Sequence, residues 1–189
     1  MCTLVFAWQA VADAPVVVAA NRDEATDRPS EPPGLYQTDP QVIAPRDARA
    51  GGTWIGYNEA GLFVGITNRW VDRAGERSRG QLVADCLGSA SADAAIDAVD
   101  RAVAADSYAG FNLVVADADR AALLEWDGEL GVTEFEPGVH VVVNVGADGA
   151  SFEPPERPER GRQQAANATA VRSALSVGEE APPTAAVWR

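Results

Sequence analysis

A chain of 189 residues, 47% of them hydrophobic, carries enough apolar material for the core of one domain. Asp and Glu number 28 against 15 basic residues, for a net charge of −13. A surface this acidic repels nucleic acid phosphates and anionic lipid headgroups, which excludes nucleic acid as an expected partner.

The chain opens with two apolar runs, Thr3 to Trp8 and Pro15 to Ala20, around the polar stretch QAVADA. Short β-rich runs around such a turn predict a hairpin. Residues 21–50 are rich in Pro, Asp and Arg and read as loop with little regular structure. A second hairpin is expected from Thr53 to Tyr57 and Leu62 to Thr67, turning at Asn58 to Gly61. Leu82, Val83, Cys86 and Leu87 then share one helical face, which Gly88 ends. Ser91 is placed to cap a second helix bearing Ile96, Val99 and Val103.

Further strands are predicted from Phe111 to Ala116, Ala121 to Trp126 and Gly138 to Val145. Residues 151–162 read as a Pro-rich charged linker, Gln163 to Leu175 as a last helix, and residues 178–189 as a frayed tail. Hairpin-length turns and grouped helices favour antiparallel sheet packed with helices. The expected class is α+β, in one domain over residues 1–189, rather than a doubly wound parallel sheet.

No apolar run approaches the ~20 residues that span a bilayer, and no positive flank precedes the first apolar stretch. The expectation is a soluble, unexported, cytoplasmic protein without a membrane span; its oligomeric state does not follow from the sequence. Every basic residue is Arg and Lys is absent. That composition fits a salt-loving host whose counterions screen the charge, or a GC-rich genome favouring Arg codons. Two cysteines, Cys2 and Cys86, are too few for a disulfide framework. The one histidine, His140, with no CxxC pair, excludes a zinc site of two or more His, and no metal or cofactor is expected. In the apolar segment GVHVVVN, His140 reads as a packed core residue rather than a triad base.

Cys2 is the candidate nucleophile. Methionine aminopeptidases remove Met1 when the next residue is small, which leaves Cys2 with both a thiol and a free α-amine. The amine titrates at about 8 and the thiol at about 8.5, so the amine is matched to accept the thiol proton. A terminal cysteine is then nucleophile and base in one residue. If the first hairpin turns near Val11 and Ala12, residues whose numbers sum to about 23 face each other. That register sets Cys2 opposite Asn21 and Arg22, at the head of Asn21-Arg22-Asp23-Glu24. An arginine there favours the thiolate, and a carboxylate holds the ammonium. GGTWIG lacks the lysine and spacing of a phosphate loop; its glycines suit close backbone approach near the site. Asn68 and Asn144 stand at strand ends, where each is able either to donate to an oxyanion or to cap a turn.

MC at the N-terminus, NRDE, Arg28-Pro29, GGTWIG, TNR at 67–69 and Ser78-Arg79-Gly80 occur in this order. Together they resemble the NRDE family, also called the transport and Golgi organisation protein 2 family, most specifically over residues 2 to about 90. The likeness continues more weakly through Phe111-Asn112-Leu113 and Asn144.

The resemblance implies an N-terminal-nucleophile hydrolase-like αββα sandwich of antiparallel sheets. It implies kinship with cysteine amidases such as bile-salt hydrolases and penicillin acylases. On that likeness Cys2, Arg22, Asp23, Asn68 and Asn144 take catalytic roles, and Asn21, Glu24, Arg28, Trp54, Arg69 and Arg79 meet the substrate. The family's late Tyr-Gly-Thr-Arg segment has no counterpart before Arg189, so the expected sheet is short of its last C-terminal strands. Two functions follow, beside a structural or interaction role that would use only the fold. One is hydrolysis of a C–N amide or acyl bond through a thioester at Cys2. The other is non-catalytic binding or trafficking of a hydrophobic anion such as haem or acyl-CoA, met by Arg22, Arg28, Arg69 and Arg79.

Overall fold

The computed structural model describes residues 2–175. The first hairpin joins β1 (Thr3–Val11) to β2 (Ala14–Asn21), and β1 also pairs with β10 (Gly138–Val143). With β11 (Gly146–Ala147) and β12 (Ala150–Ser151) they form a five-stranded sheet, ordered β12-β11-β10-β1-β2. The second sheet has seven strands in chain order: β3 (Ser30–Thr38), β4 (Gln41–Asp47), β5 (Ile55–Asn58), β6 (Phe63–Asn68), β7 (Phe111–Ala116), β8 (Ala121–Trp126) and β9 (Leu130–Glu134). The pairings in both sheets are antiparallel.

Side-chain alternation sets the layers. Leu4, Phe6 and Trp8 of β1 point between the sheets, where they meet Phe63, Val114 and Leu123. Val5 faces the other way and packs with Val141, Val143 and Ala168 beneath α3 (Pro158–Leu175). On the far face of the seven-stranded sheet, Leu113 and Val115 pack against Leu82, Val83 and Cys86 of α1 (Arg79–Leu87) and Val99 of α2 (Ala92–Ala105). The β7 segment FNLVVA is therefore buried on both faces, which is why, apart from Asn112, it reads as an apolar run without alternation. The architecture is αββα, the class and layering expected from the sequence.

The helix starts follow their local signals. Ser91 Oγ accepts from Ala94 N at 3.2 Å, and Asp117 Oδ2 accepts from Ala92 N at 2.7 Å, so two side chains satisfy two of the N–H groups left open at the start of α2.

Four sequence expectations are corrected. Residues 21–50 are not a structureless loop: β3 and β4 lie within them, with Val42 and Ala44 buried at alternate positions of β4. Pro32 and Pro33 are tolerated because they fall on an edge strand at an irregularity between Glu31 and Gly34, where neither has a partner across the ladder. The short, mostly exposed β9 was missed because LGVTE carries little apolar signal. Residues 151–162 are not wholly linker, since α3 begins at Pro158, a residue suited to the first helical turn. The β10 strand stops at Val143, short of the expected Val145. The expected frayed tail, residues 178–189, lies outside the described residues. No described helix is long and apolar enough to cross a membrane.

Candidate functional site

Cys2 directly precedes β1, so the hairpin register decides what it meets. Thr3 pairs with Asn21 and Trp8 with Val16, a constant sum of 24 rather than 23. The turn lies later than expected, with Val11 paired to Ala14 at a sum of 25, and an irregularity between Trp8 and Val11, where Gln9 adopts a positive φ of 50°, takes one residue back. A sum of 24 sets Cys2 level with Arg22, and its thiol meets the backbone unit that follows. The Asp23 N–H donates to Cys2 Sγ at 3.4 Å, and Sγ lies 3.8 Å from the Asp23 carbonyl oxygen. The motif thus reaches the sulfur through Asp23 main chain.

The thiol opens on a cleft of about 70 Å³ lined by Cys2, Asn21, Arg22, Glu24, Trp54 and Asn68, among others. Burial pushes the Cys2 thiol above its ordinary value, and Glu24 adds to that push; the N-terminal ammonium, Arg22 and Arg79 pull the other way. Behind the cysteine, Cys2 N donates to Asn144 Oδ1 at 3.2 Å, and Asn144 Nδ2 donates to the Asn68 carbonyl oxygen at 2.6 Å. Asn144 is 2% exposed and ties the end of β10 to the end of β6. With Met1 in place Cys2 N is a peptide nitrogen; cleavage of the Met1–Cys2 bond turns the same atom into an α-amine.

The arginines are committed to partners. Arg22 lies 4.1 Å above the Trp54 ring and donates to Asp47 Oδ2 at 3.1 Å and Glu24 Oε2 at 3.4 Å. Arg28 contacts the same Asp47 oxygen through Nε at 2.8 Å and Nη2 at 2.7 Å. Arg79, at the first position of α1, donates to the Gly110 carbonyl oxygen at 2.7 Å. Burial holds its guanidinium below the ordinary arginine value, with Arg28 adding and Cys2 opposing. Arg69 lies elsewhere, donating to Glu125 Oε1 at 2.5 Å and Asn112 Oδ1 at 3.0 Å, and does not line the cleft. The structure therefore gathers Cys2, Asn21, Arg22, Asp23, Glu24, Trp54, Asn68 and Asn144, keeps Arg28 and Arg79 just behind them, and separates Arg69.

Sequence reasoning missed two residues. Asp47 is the hub that holds Arg22 and Arg28, and it fell within a stretch read as loop. Gln164 donates to the Cys2 carbonyl oxygen at 3.1 Å and to Asn144 Oδ1 at 2.8 Å. Its only sequence signal is its spacing with Gly161 and Ala168 on the buried face of α3.

The GGTWIG glycines make the close approach expected of them. A Cβ on Gly52 would meet the Gly80 backbone carbon at 2.4 Å, and Thr53 N bonds Gly80 O at 3.0 Å, which stops the two segments from separating. Gly52→Ala is expected to destabilise the protein by about 2 kcal/mol through this clash, measured by urea denaturation. An unchanged midpoint would refute the contact. His140 is 6% exposed, with Nδ1 2.6 Å from Asp148 Oδ2 and Nε2 2.7 Å from the Glu136 carbonyl oxygen. It packs against the rings of Phe6 and Phe135 as a core residue, away from Cys2. The described residues hold no cluster of His, Cys, Asp and Glu able to bind a metal.

Cys86 is fully buried in α1, and burial pushes its thiol up to about 12. Iodoacetamide at pH 8 should therefore alkylate Cys2 of the folded protein at least about tenfold faster than Cys86, as read by peptide mass spectrometry. Equal rates would contradict both assignments.

The family model described as Transport and Golgi organisation 2 matches residues 1–181. The Transport and Golgi organization protein 2 homolog of Bos taurus is 32% identical over 153 residues, 75% of this chain and 53% of that protein. The Homo sapiens homolog is 30% identical over 111 residues, 56% of this chain and 40% of the relative. The chain thus spans about half the length of the curated relatives it matches. Among solved structures, a Caenorhabditis elegans N-acylethanolamine-hydrolyzing acid amidase ortholog superposes with a TM-score of 0.64 at 12% identity, over 100% of this chain and 86% of that one. A mutant conjugated bile acid hydrolase from Clostridium perfringens gives 0.52 at 14% identity, over 74% of this chain and 52% of that one. At such identities the likeness shows the fold, which is the N-terminal-nucleophile-hydrolase-like sandwich.

Proposed function

This chain belongs to the transport and Golgi organisation 2 family, and we propose that it is an N-terminal-cysteine hydrolase acting on a C–N amide or acyl bond through a thioester at Cys2. One observation carries the reading: the Cys2 thiol opens on a cleft while its nitrogen is held on Asn144, which suits nucleophile and base in one residue. Once Met1 is removed, the α-amine takes the thiol proton as Sγ attacks the substrate carbonyl carbon. Asn68, lining the cleft, and the second Nδ2 hydrogen of Asn144 are the candidate donors to the oxyanion. Collapse breaks the C–N bond, and the proton leaves with the amine. Water then attacks the thioester, and thiol and acid are released.

The acyl group has an apolar path. A groove of about 310 Å³ lies between the edges of the two sheets, lined by Val16, Val18, Ile43, Ile55, Tyr57 and Phe63, among others. Ile55 lines this groove and the Cys2 cleft alike, and Val16, Val18 and Ala20 share one face of β2 leading to the cysteine.

The groove equally suits the alternative, a carrier of haem, acyl-CoA or a related hydrophobic anion. That reading needs arginines directed at acidic groups of the ligand. Arg22, Arg28 and Arg69 are instead paired with Asp47, Glu24 and Glu125, which favours hydrolysis. Two free cysteines in the described residues agree with a reducing compartment such as the cytoplasm.

The test begins with intact mass, because retained Met1 blocks the amine and defeats the mechanism. Turnover of long-chain acyl amides by the Met-free protein, with haem and acyl-CoA affinities measured beside it in high salt, then separates the readings. Tight binding of either anion without turnover would replace hydrolysis by the carrier function.

A further inference from the structure

Gln164 is 1% exposed and takes no part in the steps above, yet it touches the cysteine from 162 residues away in sequence. A primary amide has two N–H bonds, and those of Gln164 go to the Cys2 carbonyl oxygen and to Asn144 Oδ1. Asn144 Oδ1 accepts from Gln164 on one side and from Cys2 N on the other, while Asn144 Nδ2 is fixed on Asn68 O. The nitrogen and the carbonyl of Cys2 are thus both held, one through Asn144 and one directly. Gln164 Oε1, by contrast, is buried with no partner among the described residues.

An orphaned buried oxygen costs on the order of 1–3 kcal/mol. A leucine or methionine of similar volume would fill this space beneath the five-stranded sheet without that orphan. Either would take the donor away from the Cys2 carbonyl oxygen and Asn144 Oδ1, so the glutamine is accounted for by these two bonds and not by packing. What the glutamine uniquely supplies is a two-pronged donor. One prong stops rotation of the Cys2 carbonyl; the other turns the Asn144 oxygen toward Cys2 N.

We propose that Gln164 is a positioning residue for the N-terminal cysteine, fixing the Cys2 carbonyl and the Asn144 amide so that the α-amine stands where it takes the thiol proton. This rests on the reading of Cys2, freed of Met1, as the nucleophile. Gln164 itself touches no reacting atom and acts through Asn144 and the main chain of Cys2.

The test compares Met-free wild type with Gln164→Leu and Gln164→Met, using the pH profile of Cys2 alkylation by iodoacetamide alongside thermal denaturation. Both variants should melt within a few degrees of wild type, because the lost hydrogen bonds are offset by loss of the orphan oxygen. Alkylation at pH 7 should fall about tenfold, with the midpoint of the profile moved to higher pH. Profiles superimposable on wild type in both variants would overturn the proposal. Severe destabilisation of both would also overturn it, by making Gln164 a structural residue. Acyl-amide turnover of the wild type is read separately: a shifted profile in a protein without turnover sinks the hydrolase reading and leaves the positioning role standing.

Discussion

Cys2→Ser is expected to reduce acyl-amide turnover by about 10³-fold while leaving the fold intact. Serine at position 2 is also small, so Met1 should leave and the α-amine remain in place. What changes is the acidity of the nucleophile: a hydroxyl gives up its proton far less readily than a thiol, and the amine beside it is too weak a base to compensate. Burial already works against the thiolate here, and the Arg22 and Arg79 guanidiniums pull the other way. Those groups fall well short of ionising an alcohol. Cys2 is half-buried at the cleft mouth and outside the three apolar clusters, so the stability change should stay below about 1 kcal/mol. Turnover that survives Cys2→Ser would end the thioester mechanism. Turnover lost together with the melting transition would leave the assignment without support from this variant, and the alkylation profile of the wild type would then decide it.

The parts of the fold legible in the sequence were those with strong local signals. The helical face Leu82, Val83, Cys86 and Leu87 is the buried face of α1, and Ser91 caps α2 with its side chain. The turn from Asn58 to Gly61 joins β5 to β6 as its Asn and Gly suggest, with Gly61 at a φ of 84°. What was illegible depended on partners remote in sequence. Nothing local in SEPPGLYQT announces a strand; β3 exists because β4 supplies its hydrogen bonds and an edge tolerates Pro32 and Pro33.

The candidate site divides in the same way. Cys2 and the NRDE segment come together because a hairpin is a local structure, and even a one-residue shift in register left them neighbours. Asp47 and Gln164 reach the site from β4 and α3, and no sequence spacing connects either residue to Cys2. The loop reading of residues 21–50 concealed Asp47 directly, since a carboxylate in a loop has no assigned direction. Placed at the end of a strand, the same carboxylate is aimed at the arginines.

Asp47→Asn is expected to destabilise the protein by about 3 kcal/mol, the largest stability effect of any single change considered. The Asp47 side chain is 9% exposed and accepts from five donors: Arg22 Nη2, Arg28 Nε and Nη2, and the backbone N–H groups of Arg49 and Ala50. Burial opposes its ionisation, but the Ala50 and Arg49 N–H groups and the Arg28 guanidinium outweigh burial and hold the carboxyl below the usual range. Asparagine keeps the shape but turns an acceptor into an N–H donor facing two guanidiniums, and it removes the charge that balances them. Glu24, also paired with both arginines, is too exposed to take over. Because the folded-state value is depressed, the contribution of Asp47 is fully present above its unfolded value near 4 and fades as pH falls through the lower folded value. Urea denaturation should therefore give a constant gap between wild type and Asp47→Asn from about pH 5 upward, closing progressively below about pH 4. Added salt should leave most of the gap in place, since a largely buried pair is poorly screened. A gap independent of pH down to 2, or one abolished by molar salt, would mean that the charge of Asp47 does not hold Arg22 and Arg28 behind the cysteine.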